Sequence, residues 1–214
     1  MWAKVKASQV VELFRNPKPI TFDNIKHPKE IFNNWTSKEL KAIGIYDFID
    51  GTPADARFET ATTVNYKVDD AKGIVTETIN KKDKLINDTL WTSKDKTDKK
   101  IPDGEDVGDV AIPGLKTIFI EQTKNRAAAL LKPTDWMVTR LVEDSSKKIP
   151  SVVSTYRAAV KNEADKIEKA ISDCDTLDKL KALFVTEYNK DKSIKKIATM
   201  ESFPDAKGIE AYTR

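Results

Sequence analysis

One cysteine, one histidine and seven glycines are spread over 214 residues, and each scarcity closes off a class of chemistry. A single thiol, Cys174, forms no internal disulfide, which fits a reducing compartment. A single imidazole, His27, rules out a His-rich zinc site and leaves little for a Ser-His-Asp triad. The glycines are too scattered to cradle a phosphate, and no P-loop, G-x-G-x-x-G or G-x-S-x-G motif is present. Long apolar runs are missing too. Stretches such as Ala127 to Leu131 fall far short of the ~18 residues that a bilayer span needs, so no membrane partner is expected. Lys4 and Lys6 are followed by no apolar core and no small-residue cleavage site, so no secretory leader is expected. Charge of one sign is also lacking: 37 Lys plus Arg stand against 34 Asp plus Glu, a net charge of +3. Lysines alternate with acids in Lys94-Asp95-Lys96-Thr97-Asp98-Lys99-Lys100, whereas a phosphate-tracking stripe gathers its bases without acids between them. Nucleic acid is therefore not an expected partner.

What remains is a wet but foldable chain, 39% hydrophobic and 33% charged. At this length about 70% of the unfolded surface can be buried. Composition divides it into four stretches: a β-rich α+β domain over 1–91, a charged linker over 92–113, a helical domain over 114–190 and a C-terminal tail over 191–214. The linker is expected from its charges and from Pro102, Gly104, Gly108 and Pro113. In the first stretch Trp2 to Lys6 alternates, Val10 to Phe14 is a second apolar run, and Ile20-Thr21-Phe22 is a short strand candidate. Glu30 to Trp35 predicts one helical turn packed by Ile31, Phe32 and Trp35. Thr36 with Glu39 forms a capping-box pattern for the next helix, which Gly44 ends. Val64 to Val68 and Ile74 to Ile79, joined by Asp69-Asp70-Ala71-Lys72-Gly73, predict a hairpin.

The later part has helical periodicity. One helix starts after Pro113-Gly114 and ends at Pro133; Thr134 is placed to cap the next, with Asp135 suited to its positive end. Ile149-Pro150 makes a stiff corner before a long helix whose face is traced by Val152, Tyr156, Ala159, Val160, Glu163, Ile167, Ala170 and Ile171. Turns this short predict antiparallel neighbours in a hairpin or bundle. The expected fold class is thus α+β: a small β-containing N-terminal domain, a charged linker and a C-terminal helical hairpin or bundle.

The acids at Asp69-Asp70 and Asp103-Gly104-Glu105-Asp106 match no Ca²⁺-loop template and read as solvated turns, so neither metal nor cofactor is expected. The densest constellation is Thr134-Asp135-Trp136 with Arg140, Glu143, Tyr156 and Arg157. Trp136, Arg140 and Glu143 share a helix face, and Arg140 can pair with Glu143 or with an acid on the next helix. Two readings stand. In one, Trp136 packs between helices and arginine–carboxylate pairs fix their register. In the other, Trp, Arg and Tyr form a recognition surface, being the types enriched in binding hot spots. Trp35 is a further candidate for docking on other proteins.

Arg126, Leu130-Leu131, Thr134-Asp135-Trp136, Arg140, Glu143, Ile149-Pro150, Tyr156-Arg157 and Val160 carry a family resemblance. Their order resembles the TDW…R…E…IP…YR pattern of tail assembly chaperone and tail-fibre-associated proteins of tailed bacteriophages. Met137 stands where that pattern often has an aromatic, and Ser145-Ser146-Lys147-Lys148 where a glycine often precedes the corner. Pro28, Ile31-Phe32, Trp35, Glu39-Leu40 and Ala42-Ile43-Gly44-Ile45 look like the opening of uncharacterised marine and cyanobacterial phage tail proteins. The resemblance implies a non-enzymatic structural protein of the virion tail, made in the host cytoplasm. Its implied partners are other virion proteins of tail, fibre or baseplate, with a homo-oligomer possible. It leaves open a transient tail or tail-fibre assembly chaperone and a capsid decoration protein. The family brings no catalytic residues.

Overall fold

Alternation along the first strand divides the N-terminal core into two faces. In the computed structural model, which describes residues 1–213, β1 (Trp2–Lys6) sends Ala3 and Val5 to one cluster and Trp2 to another. β2 (Gln9–Phe14) returns antiparallel through Ala7 and Ser8, whose φ values of 50° and 56° give the left-handed pair that a tight hairpin uses. β3 (Ile20–Phe22) and β4 (Ile25–His27) form a second hairpin through Asp23 and Asn24, residue types that tolerate the left-handed region. One helical turn, α1 (Ile31–Asn34), precedes α2 (Ser37–Ala42). The expected capping box is present: Glu39 N donates to Thr36 Oγ1 at 3.3 Å, and Thr36 N donates to Glu39 Oε2 at 2.7 Å. Gly44 ends α2 with φ +71°, and a Cβ there would sit 2.8 Å from the Val5 carbonyl oxygen, so only glycine fits.

β5 (Ile45–Ile49), β6 (Glu59–Asp69) and β7 (Ile74–Asp83) complete a five-stranded sheet of order β2-β1-β5-β7-β6. It is antiparallel except for the β5–β7 pair. Phe14, Ile20, Ile31, Phe32, Leu40, Ile43 and Ile45 form one core cluster; Ala3, Val5, Tyr46, Phe48 and Val75 form the other. Asp70 ties the turns together, accepting from Ser8 Oγ at 2.5 Å and from Tyr46 Oη at 2.8 Å. These bonds hold its carboxyl below the usual range.

The chain divides into two compact units, Met1–Asp83 and Lys84–Arg214, so the boundary lies before the one expected at residue 91. The reason is a backbone clasp. Leu115 N and Lys116 N donate to the carbonyls of Leu85 and Ile86 at 2.9 and 3.1 Å, while Asp88 accepts from Gly114 N at 2.6 Å and Thr117 Oγ1 at 2.9 Å. Three otherwise orphaned backbone N–H groups at the start of a helix are thereby satisfied. The expected linker over 92–113 is likewise structured within the second unit. β8 (Thr89–Leu90) pairs with β9 (Val110–Ile112), and between them α3 (Ser93–Thr97) begins with a second capping box, Thr92 with Asp95. Its charges are used locally, as in the Lys96–Asp106 pair at 2.7 Å.

α4 (Leu115–Leu131) runs into a short 3-10 turn over Lys132–Thr134 and then α5 (Asp135–Glu143). After the Ile149-Pro150 corner comes α6 (Ser151–Ser172), followed by α7 (Leu177–Ala182). Lys116 Nζ donates to Ser172 O, and Arg157 Nη1 donates to Leu131 O, so α4 and α6 run antiparallel as expected. The buried face of α6 is Val153, Tyr156, Val160, Ala164, Ile167 and Ile171; Val152, expected inside, is exposed. The final stretch is not a loose tail. After β10 (Glu187–Tyr188) and β11 (Ile194–Lys196), Phe203, Ala206, Ile209 and Tyr212 pack onto the core formed by Ala127, Met137, Val153, Tyr156, Val160 and Ala164. Among the described residues no helix is long and apolar enough to cross a membrane.

The clasp predicts where the second unit can be cut. A fragment of residues 84–214 should unfold cooperatively, whereas one of residues 92–214 should melt at a visibly lower temperature, because α4 loses its N-terminal acceptors. Equal melting of the two by circular dichroism would move the boundary back to residue 91.

Candidate functional site

Five of the six candidate residues lie at one corner of the helical unit, where α4 breaks and α5 and α6 follow. Trp35 belongs to the other unit, half-buried against the core there, with His27 edge-on at 5.3 Å. The corner exists because Pro133 has no N–H to continue α4, and the chain turns through Lys132–Thr134 before α5 starts. Thr134 does not cap α5 with its side chain, contrary to expectation. Its hydroxyl is fully buried and turned back, donating to Leu131 O at 2.9 Å.

Arg157 fills the break. Its guanidinium donates to Leu131 O at 2.9 Å and to Thr134 Oγ1 at 2.7 Å, and it pairs with Asp135 at 2.8 Å. Tyr156 beside it is buried in the core, and burial pushes its phenol pKa up, with the Asp205 charge adding to the effect. Met137, where the resemblance favours an aromatic, is buried in the same cluster.

Arg140 does something other than expected. Among the described residues it forms no salt bridge, though its charge helps hold the Asp144 carboxyl down; its guanidinium lies over the Trp136 ring, 5.9 Å from the centroid. The arginine–carboxylate lock is made by Arg157, one helix on. Glu143 is exposed and holds no ion pair among the described residues. Trp136 is half-buried, and its indole N–H donates to Tyr212 O at 3.2 Å. Periodicity gave no signal for Tyr212, Phe203 or Ile209, which close the corner from the end of the chain.

A cavity of about 270 Å³ opens beside Trp136, lined by Met137, Arg140, Lys147, Lys148, Pro150 and Tyr212. A second, of about 190 Å³, lies where Arg126 donates to Met200 O and covers the Phe203 ring. In the N-terminal unit a hollow of about 570 Å³ lies between the end of β2 and Tyr66 and Glu77 of the β6–β7 hairpin. Among the described residues no three His, Cys, Asp or Glu side chains converge as a metal site. Cys174 is buried, its thiol donating to Ala170 O and its pKa raised mainly by burial. Chemically, the corner offers a fastened interior and, outside it, cations over aromatic faces.

The chain matches no protein-family model, no curated protein and no solved structure.

The geometry separates fastening residues from exposed ones. Trp136→Ala should cost about 2 kcal/mol, less than for a fully buried tryptophan because part of the side chain is already exposed. Glu143→Ala should stay within about 0.5 kcal/mol of the parent. Urea denaturation of both variants checks this; a Glu143 cost equal to that of Trp136 would contradict it.

Proposed function

We propose that this chain is a non-enzymatic structural protein of a tailed-phage virion, seated in the tail or fibre region and joining other virion proteins. One observation carries the reading. Six residues of the phage-tail-like pattern build the helical corner: Thr134, Asp135 and Arg157 fasten it, while Trp136, Tyr156 and Val160 pack its core; Arg140 and Glu143 of the same pattern lie outside it, exposed. A resemblance spread over residues 126–170 and concentrated on fold-determining positions is what common descent of a scaffold would leave. Two compact units in one chain suit a connector, since each can present its own surface.

A transient assembly chaperone is the second reading, and it needs a reusable apolar groove. The cavity at the corner is walled by Arg140, Lys147 and Lys148, a polar rim that favours a lasting contact with a charged neighbour. Mass spectrometry of purified particles, compared with infected-cell lysate, tests the choice. A stoichiometric 24.1 kDa chain in particles is expected. Its presence in lysate with absence from particles would favour the chaperone.

A further inference from the structure

The cavity beside Trp136 combines an aromatic floor with cations that form no salt bridge among the described residues. Its floor is Met137, Pro150, Tyr212 and the Trp136 ring, and its rim is Arg140, Lys147 and Lys148. Both lysines are exposed, and no carboxylate lies within ion-pair distance of any of the three cations among the described residues. The fold positions them all the same. Lys147 N donates to Asp144 O at 2.9 Å and Lys148 N to Ser146 O at 3.1 Å, which curls the loop so that both lysines stand beside the end of α5. Asp144 is turned into this loop, its carboxyl held below the usual range first by the Ser146 hydroxyl and then by its backbone N–H. Asp144 is therefore shared between Ser146 and the Arg140 charge, and Lys147 and Lys148 are the rim cations left to an occupant.

We propose that this cavity binds an acidic peptide segment of a partner protein, one in which carboxylates flank a single aromatic or large apolar side chain. Volume sets the scale. Small-molecule pockets usually run about 300–1,000 Å³, and about 270 Å³ suits one or two side chains. Charge sets the sign: Lys147 and Lys148, with the Arg140 guanidinium beside them, favour an anionic occupant. Arg140 presents a planar fork matched to a carboxylate, and the lysines add point charges around it. The acids decide between anions. Glu143 and Asp144 sit at the C-terminal end of α5, between Arg140 and the two lysines along the chain. They would repel a continuous phosphate backbone, whereas isolated carboxylates can be threaded between them. The inference rests on the cavity alone and stands whether or not the chain is carried in a phage particle.

The test uses the intact, ¹⁵N-labelled protein and two-dimensional NMR. The chain has four tryptophans, so the Trp136 indole signal is assigned with Trp136→Phe. The probe is the blocked peptide acetyl-Asp-Glu-Phe-Asp-Glu-amide, with acetyl-Asn-Gln-Phe-Asn-Gln-amide as the neutral control. The acidic peptide should shift the Trp136 indole saturably, with an affinity that falls as salt is raised. K147E with K148E should weaken it by about tenfold or more while leaving the thermal unfolding curve in place, since both side chains lie on the rim. Four results would overturn the proposal: no saturable shift, an equal response from the double variant, equal binding of the neutral peptide, or tighter binding of a ten-residue oligothymidylate. Self-association that disappears in the double variant would assign the cavity to a second copy instead and would also overturn it. Absence of the chain from virions leaves these readouts unaffected.

Discussion

Arg157 projects from the second turn of α6 into the break between α4 and α5, where Pro133 has interrupted the helical hydrogen bonding and left carbonyls to satisfy. Leu131 O takes hydrogen bonds from both Thr134 Oγ1 and Arg157 Nη1, each at 2.9 Å. The Arg157 side chain is only 13% exposed, whereas its carboxylate partner Asp135 is 57% exposed. Solvent screens the ion pair, which by itself is worth at most about 1 kcal/mol. Each hydrogen bond from a charged donor is worth about 1.5–3 kcal/mol, and without Arg157 the Leu131 carbonyl and the Thr134 hydroxyl keep only their bond to each other. The backbone and hydroxyl acceptors therefore dominate. With Arg157 in place, Tyr156 and Val160 are held in phase against Ala127 and Met137, and the last residues of the chain have a surface to close over.

That division of labour explains why the outer face of the corner is free for other work. Asp135, Thr134 and Arg157 engage one another, so Arg140 is left to rest on Trp136, with Lys147 and Lys148 beside it. The N-terminal unit solves a comparable problem differently. There, Asp70 gathers a serine from the first hairpin and a tyrosine from β5, and Gly44 lets the chain pass against Val5. Each unit thus closes around a single polar acceptor set backed by its own apolar cluster.

Legibility from sequence followed the distance over which each feature acts. The capping box of Thr36 and Glu39, the stop at Gly44 and the β6–β7 hairpin are contained within a few neighbouring residues, and all were readable. The clasp of Asp88 on Gly114 joins residues 26 apart, and its partners look like ordinary loop residues, so the sequence places 84–91 with the N-terminal domain and 92–113 in a linker. On α6 the expected stripe holds Tyr156, Val160, Ile167 and Ile171, all buried, and departs at Val152 rather than Val153 and at Glu163 rather than Ala164. A shift of one residue turns a helix by about 100°, which is the difference between exposed Val152 and buried Val153. In the corner, periodicity grouped Trp136, Arg140 and Glu143 correctly but has no means of saying which of two arginines meets a broken helix end. That choice is made by Pro133 and by the reach of α6. Phe203, Ile209 and Tyr212 have no repeat to announce them, because they follow irregular backbone.

The central claim is that Arg157 holds the corner through the Leu131 and Thr134 oxygens rather than through the Asp135 charge. Equilibrium urea unfolding of Asp135→Asn and Arg157→Ala compares the two most directly. Asp135→Asn should cost less than about 1 kcal/mol, and Arg157→Ala about 2–4 kcal/mol, with little dependence on salt. Equal costs for the two variants, both fading as salt is raised, would show that the ion pair is the fastening and contradict the account.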